Sequence, residues 1–317
     1  MRVAVVGASG FVGSAVTRAC ESGGHEVIAV SAPRVFSNAT SSDDLEAELA
    51  GLHDEVARTA DQLAGSDVVV NAAGLADALS GDRAALFGAN ALVPRLLGAA
   101  CDAAGCGRLV HVSSAAVQGR RARLDESEAY DPFSPYAESK ILGEQAALAS
   151  HRAVVYRPTS VHGPTRPVTE RLAGLARGPI SSYAGDGSLP TPQILDSSVG
   201  SAVRFLVEQP TVPRIVMHPW EGMTTRSLLE ALGAGRRPRH IPSPLARAAV
   251  STLARAATLR PGAQGLARRL EMLWFGQAQD ESWLSAAGWT GSATPDDWAD
   301  LGRRLSAQAS APTTSTS

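Results

Sequence analysis

The sequence predicts an α/β fold: a doubly wound parallel sheet in the first half, with a smaller C-terminal α+β domain for substrate. Three observations predict it. Short apolar runs at Arg2–Val6, His25–Val30, Asp67–Asn71 and Arg108–Val112 alternate with helical patterns, the rhythm of βαβ units. The first run ends in a glycine cluster, Gly7-Ala8-Ser9-Gly10-Phe11-Val12-Gly13, where a helix must begin. Ser134-Pro135-Tyr136-Ala137-Glu138-Ser139-Lys140 then opens a further helix with Tyr136 and Lys140 on one face.

The 317 residues allow one large or two unequal domains. With 29 basic and 31 acidic side chains, net charge −2, nothing in the overall balance points to nucleic acid. Cys20, Cys101 and Cys106 fit neither a disulfide framework nor a metal-ligand spacing, so no metal is expected. No leader pattern precedes the first strand and no run of about 18 apolar residues occurs, so a reducing cytoplasm is expected.

Strand one, glycine turn and helix one form a Rossmann-type phosphate site. Glycines let backbone N–H groups approach a pyrophosphate, the helix N-terminus favours its charge, and Gly13 lets helix and strand pack closely. The spacing is G-x-x-G-x-x-G, with Gly7, Ser9, Gly10, Phe11, Val12 and Gly13 as the contact residues. After the second strand stands Ser31, where NAD-selective folds keep a carboxylate, and Arg34 follows. That pair favours NADP over NAD.

Residues 35 to 65 give no third strand; an acidic, alanine-rich helical stretch runs from Asp43 to Leu63. Ala72, Ala73 and Gly74 follow the next strand and let backbone pass close to the cofactor. Asn90 opens, or lies early in, the helix that runs towards Ala104. The strand Arg108–Val112 delivers Ser113-Ser114 at the carboxyl edge, where open α/β sheets bind ligands. Lys140 is the only lysine of the chain, and a compact ammonium beside a tyrosine stabilises phenolate.

The glycine turn, Ser113-Ser114-Ala115-Ala116-Val117-Gln118-Gly119, the Tyr-x-x-x-Lys pair and Arg157-Pro158-Thr159-Ser160-Val161-His162-Gly163-Pro164 occur in an order that resembles the extended short-chain dehydrogenases/reductases over about residues 1 to 230. The resemblance implies an NAD(P)-dependent oxidoreductase or epimerase acting on a nucleotide-linked sugar. Ser114 would bond the substrate oxygen, Tyr136 exchange the proton, and Lys140 hold the ribose and lower the tyrosine pKa. Val112, Asn90, Arg157, Pro158 and Val161 join the expected cofactor residues; Ala115, Ala116, Thr159, His162 and Arg166 join Ser114 and Tyr136 at the substrate. Ala115-Ala116 stand where 4,6-dehydratases of that family carry an Asp-Glu pair, so that dehydration is not expected. Thr191-Pro192 replace the family's Arg-Asp pair in the Gly185–Asp196 segment, which leaves a small non-nucleotide ketone as a second substrate class. A non-catalytic dinucleotide sensor is the rival of another kind.

The dinucleotide-binding domain is expected over 1–165, with about 190–218 returning to it, and the substrate domain over 166–305. Arg236, Arg237, Arg239, Arg247, Arg255, Arg260, Arg268 and Arg269 stand without an acidic residue among them. The helix among them, 243–259, either packs on the small domain or lies on a phosphate-rich membrane surface or over a substrate diphosphate. Trp274, Trp283, Trp289 and Trp298 read as packing residues, and 306–317 as a polar disordered tail. The helices around Asn90 and Tyr136 are the expected interface of a homodimer, as that family often forms.

Overall fold

A computed structural model describes residues 1–76, 82–257 and 263–310. In chain order the first elements are β1 (Arg2–Val6), α1 (Phe11–Ser22), β2 (Glu26–Val30), α2 (Ser42–Leu49), α3 (His53–Leu63), β3 (Val68–Asn71) and α4 (Arg83–Phe87). A π turn (Gly88–Leu92), α5 (Val93–Ala104), β4 (Arg108–Val112), a 3-10 turn (Ala115–Gln118), β5 (Arg123–Leu124), α6 (Pro135–Leu148) and β6 (Ala153–Arg157) follow. Then come β7 (Ser160–His162), α7 (Pro167–Arg177), β8 (Ser182–Ala184), β9 (Gln193–Leu195), α8 (Asp196–Glu208) and β10 (Ile215–Met217). The last are α9 (Thr225–Leu232), β11 (Arg239–Ile241), α10 (Ser243–Ala257), α11 (Ala263–Phe275), β12 (Ala278–Gln279), α12 (Trp283–Ala286) and α13 (Pro295–Ser310).

The chain divides into two compact units. Unit 1 holds Met1–Thr159, Asp196–Pro219 and Asp280–Gly291; unit 2 holds Ser160–Leu195, Trp220–Gln279 and Ser292–Ser317. The boundary therefore falls at Thr159, six residues before the expected one, and the returning segment starts at Asp196 and is joined by Asp280–Gly291.

Unit 1 is a six-stranded parallel sheet in the order β10-β6-β4-β3-β1-β2. Its central strands β1, β3, β4 and β6 are buried on both faces, which is why they read as near-continuous apolar runs. One face packs Leu63, Leu97, Cys101 and Ala147 against Val69, Leu109 and Val155. On α8, a Cβ at Gly200 would stand 2.4 Å from the Ala15 carbonyl oxygen, so α1 and α8 pack backbone to backbone. β2 is the sheet edge beside β1, and along the chain the described residues between β2 and β3 form two helices and no strand, as expected.

One local expectation changes. The stretch Asp43 to Leu63 is two helices, because the chain turns at Ala50–Leu52 and Leu52 N–H bonds Leu49 O at 2.8 Å. Asn90 lies early in the continuous helical segment Arg83–Ala104, in the π turn rather than at the helix start. That segment has the length and composition of a membrane span, with 72% of its apolar window buried in the fold.

Unit 2 centres on α9 and α13, whose Leu228, Leu229, Leu232, Trp298, Leu301 and Leu305 form its core with Ala173 and Ala176 of α7. Beside it, β7 pairs β9 and β8 pairs β11, both parallel. The tryptophans pack as expected, Trp298 and Trp289 buried, Trp274 and Trp283 half-buried. α10 buries Ala246 and Val250 but leaves Leu245 64% exposed, and Leu259 and Arg260 lie outside the described residues. Ser306–Ser310 belong to α13 and are no tail; 311–317 lie outside the described residues.

Candidate active site

β1 delivers Gly7 at φ +81°, a conformation that glycine adopts without strain. A Cβ there would also stand 2.9 Å from the Ala73 backbone, so the turn after β1 runs tightly against the segment after β3. Gly10 caps α1 with no side-chain hydrogen bond to the helix end, and a Cβ at Gly13 would collide with the Gly7 carbonyl oxygen at 2.0 Å. A helix N-terminus kept clear in this way suits a pyrophosphate, so the cradle fits the dinucleotide that the sequence implies. Ser31 and Arg34 lie just past β2, both exposed, and Arg34 makes no hydrogen bond or ion pair with the described residues.

At the adjacent strand end Asn71 works as a clamp. Its Oδ1 accepts the Ala73 N–H at 3.1 Å, and its Nδ2 donates to His111 Nδ1 at 3.1 Å across the β3–β4 register. The loop then reaches Gly74, where a Cβ would meet Asn90 Oδ1 at 2.8 Å and Lys140 Nζ at 3.5 Å. Asn90 is fully buried; its carboxamide exchanges hydrogen bonds with Leu75 N–H and C=O, each 2.9 Å, and donates to Ser139 Oγ at 3.0 Å. The π turn swings the Asn90 carbonyl so close to α6 that a Cβ at Gly143 would stand 1.9 Å from it.

α6 begins at Ser134, whose Oγ accepts the Ala137 N–H at 3.2 Å, with Pro135 in the first turn. Tyr136 is half-buried against the cluster of Leu45, Phe87, Leu92 and Leu142. Lys140, one turn on, is 5% exposed, and its Nζ donates to Val112 O at 2.9 Å. Burial pulls its ammonium down from 10.5 to about 8, while the Glu144 carboxylate pulls the other way. Ser114 Oγ accepts the Ala116 N–H at 3.2 Å and caps the 3-10 turn, and Ala115 N–H bonds Pro158 O at 2.8 Å. Thus Val112, Ser114, Ala115 and Pro158 gather at the end of β4 and β6, with Ala72–Gly74 and Asn90 joined to Lys140 from the β3 side.

Other expected residues stand elsewhere. Arg157 is fully buried and bonds Glu144, Nη2 to Oε2 at 2.6 Å, while its Nη1 donates to the carbonyls of Asp125 and Ser127. Every nitrogen of that guanidinium is spent on protein, which corrects its assignment as a cofactor ligand. Thr159 ends unit 1 at 7% exposure with its Oγ1 unpartnered. Val161 and His162 belong to unit 2, in the β7–β9 pair. His162 is buried, with Nδ1 at 3.1 Å from Thr169 Oγ1 and Nε2 at 2.6 Å from Gln193 Oε1, and burial pushes it down to about 4. It is a neutral, saturated packing residue, not an open substrate contact. Arg166, half-buried, precedes α7. Thr191 is fully buried and donates its N–H to Met223 O at 2.9 Å.

Sequence reasoning missed Glu144, Ser113, Asn71 and His111. Glu144 had a signal: it lies four residues after Lys140, as Lys140 lies four after Tyr136.

A family model described as the NAD dependent epimerase/dehydratase family matches residues 3–185. A 2-alkyl-3-oxoalkanoate reductase of Stenotrophomonas maltophilia is 32% identical over 205 residues, 59% of this chain and 59% of that one. Among solved structures, the UDP-glucuronic acid 4-epimerase of Bacillus cereus, in complex with NAD, superposes with a TM-score of 0.66 at 16% identity, covering 97% of this chain and 99% of that one. The dTDP-glucose 4,6-dehydratase of Streptomyces venezuelae, with NAD bound, gives 0.65 at 20% identity, covering 97% of each chain. The dTDP-4-dehydrorhamnose reductase of Bacillus anthracis, in complex with NADP, gives 0.60 at 14%, covering 97% of this chain and 99% of that one. At these identities the structures share the fold.

Proposed function

The chain belongs to the NAD dependent epimerase/dehydratase family, and from that premise we propose that it interconverts a ketone and a secondary alcohol. When bound, the dinucleotide would supply or accept the hydride. Tyr136 gives its proton to the developing alkoxide, Ser114 Oγ holds the same oxygen, and the Lys140 ammonium stabilises the phenolate that remains. The observation that carries the reading is the lone ammonium, buried one helical turn from Tyr136 and anchored on Val112 O. A buried cation there favours phenolate over phenol far more than an exposed one would. Ala115-Ala116 offer no carboxylate beside the serine, so 4,6-dehydration lies outside the reading. Epimerisation by oxidation and re-reduction would use the same three side chains.

For the substrate we infer a small ketone without a nucleotide, of the 3-oxoalkanoate kind named for the Stenotrophomonas relative. Support comes from that 32% identity and from the buried Thr191 where a diphosphate-gripping arginine would stand. A nucleotide-linked sugar is the second reading, supported by the shared fold with the epimerase and the dehydratase. For the cofactor we favour NADP, because Ser31 offers no carboxylate to the ribose and Arg34 is free to meet a 2′-phosphate. The experiment is mass spectrometry of small molecules released on denaturing the purified protein, followed by reduction assays on 2-alkyl-3-oxoalkanoates and on 4-keto sugar nucleotides. Turnover of the former with NADPH is the expected result. Turnover confined to the sugar nucleotides would install the second reading, and tightly held NAD would reverse the cofactor assignment.

A further inference from the structure

Helix α6 carries three polar side chains at successive four-residue steps, Tyr136, Lys140 and Glu144, and the reading above uses only the first two. Glu144 is fully buried. Its Oε1 accepts the Ser113 hydroxyl at 2.5 Å and Arg157 Nε at 3.0 Å, and its Oε2 accepts Arg157 Nη2 at 2.6 Å. One turn earlier, Lys140 Nζ donates to Val112 O at 2.9 Å. Two adjacent residues at the end of β4 are therefore gripped by two adjacent turns of α6, and the next residue is Ser114. Arg157, from β6, extends the same network to the carbonyls of Asp125 and Ser127.

An ammonium has no business in a dry site without compensation, since burial favours the neutral amine. The groups around Lys140 can be taken element by element. From β4, His111 is neutral, held well below 6.5 by burial and by the Lys140 charge. From the π turn comes the uncharged Asn90. Tyr130, close to Glu144 and Arg157, has its phenol pushed up by burial and by the Glu144 charge, so it stays protonated. Tyr136 is the group to be activated. That leaves Glu144, the carboxylate that pulls the Lys140 ammonium up, as the anion and Arg157 as its partner.

We propose that Glu144 is a positioning residue of the site: its carboxylate is the counter-charge that keeps Lys140 an ammonium inside the fold, and its bond to Ser113 fixes the strand end that carries Ser114. Arg157 is the counter-ion that makes a buried carboxylate tolerable. The proposal rests on the reading of Tyr136 and Lys140 as the reacting pair, but its test does not depend on turnover.

Because Lys140 is the only lysine, protein labelled with 13C at lysine Cε gives a single side-chain resonance, and its pH titration reads this one ammonium. The wild-type midpoint is expected at about 8. Glu144→Gln and Arg157→Met break the same ion pair yet remove opposite charges. The midpoint is expected to fall by about one unit in the first, a roughly tenfold loss of ammonium, and to rise by a clearly smaller amount in the second, since Glu144 and not Arg157 stands one helical turn from Lys140. A role confined to packing would move both in the same direction or neither, and that result overturns the proposal. Should either single variant not fold, the charge-neutral double variant E144Q/R157M decides: a lowered midpoint supports the proposal and an unchanged one defeats it. The rate–pH profile then tests the parent reading separately. If the resonance moves while the alkaline limb of turnover stays in place, Glu144 keeps its role towards Lys140 and the catalytic use of Lys140 fails.

Discussion

Two buried nitrogens, Lys140 in unit 1 and His162 in unit 2, meet the same physics and come out differently. Burial pulls Lys140 from 10.5 to about 8 and His162 from 6.5 to about 4. The lysine starts high enough to stay mostly charged at neutral pH, and the Glu144 carboxylate helps to keep it so. The histidine ends neutral, its two ring nitrogens engaged by Thr169, Gln193 and Ser160. A motif position that is buried and charged stores electrostatic work for a reaction; one that is buried, neutral and saturated holds a fold together. Both positions lie in segments that resemble a family pattern in sequence, and only the partners tell them apart.

The largest expected break in this comparison is Tyr136→Phe. It removes the proton donor beside the charged lysine and should lower kcat by about 10²- to 10⁴-fold with little change in the denaturation midpoint. Steady-state rates and urea unfolding on the same preparation check it. Near-normal turnover would end the proposed chemistry.

The glycine turn, the alternating strands and the Tyr136/Lys140 face were legible because each depends on short-range chemistry: positive φ at Gly7, runs buried on both sheet faces, and helical spacing. The boundary at Thr159 was not, since the composition is continuous from β6 into β7 and only long-range contacts separate them. Arg157 was misplaced for a related reason. An Arg-Pro pair at a strand end fixes where the guanidinium starts, while its carboxylate partner lies on another element, thirteen residues away in sequence. The π turn at Asn90 is also silent in sequence, because it is stabilised by the Asn90 carboxamide bonds to Leu75 and Ser139 and by the close approach at Gly143.

Acid should expose the histidine side of the comparison. The folded His162 binds its proton only near pH 4, whereas the unfolded chain binds it near 6.5, so between those values the unfolded state holds more protons. Stability is then complete above about pH 6.5 and falls with pH to about 4, by on the order of 3 kcal/mol from this one group. Chemical denaturation at intervals from pH 7 to pH 4 reads the slope, and His162→Phe should reduce it to the part that His111, also held well below 6.5, contributes.

At pH 7 His162→Phe should itself cost about 1–3 kcal/mol, because the Gln193 and Thr169 oxygens lose their partner inside unit 2. Its kcat should stay within about threefold of the parent once the folded fraction is taken into account, an effect of less than 1 kcal/mol. A loss of turnover as large as that of Tyr136→Phe would mean that His162 acts on the reaction after all, and the contrast between the two nitrogens would collapse.

The smallest expected effect sharpens what surrounds the charged side. Ser31 ends the β2 edge with a hydroxyl, and Arg34 is exposed with no bond to the described residues. Ser31→Asp places a carboxylate where a ribose 2′-OH would be accepted and a 2′-phosphate repelled. A shift of about tenfold in the ratio of Kd values, from NADP towards NAD, is expected, equivalent to about 1.4 kcal/mol. Titration of the protein with each dinucleotide measures it without need of a substrate. Because the change lies at the β2 edge, the single-lysine resonance should keep its midpoint. A ratio that does not move would place the 2′ position away from Ser31 and leave NADP preference without its structural support.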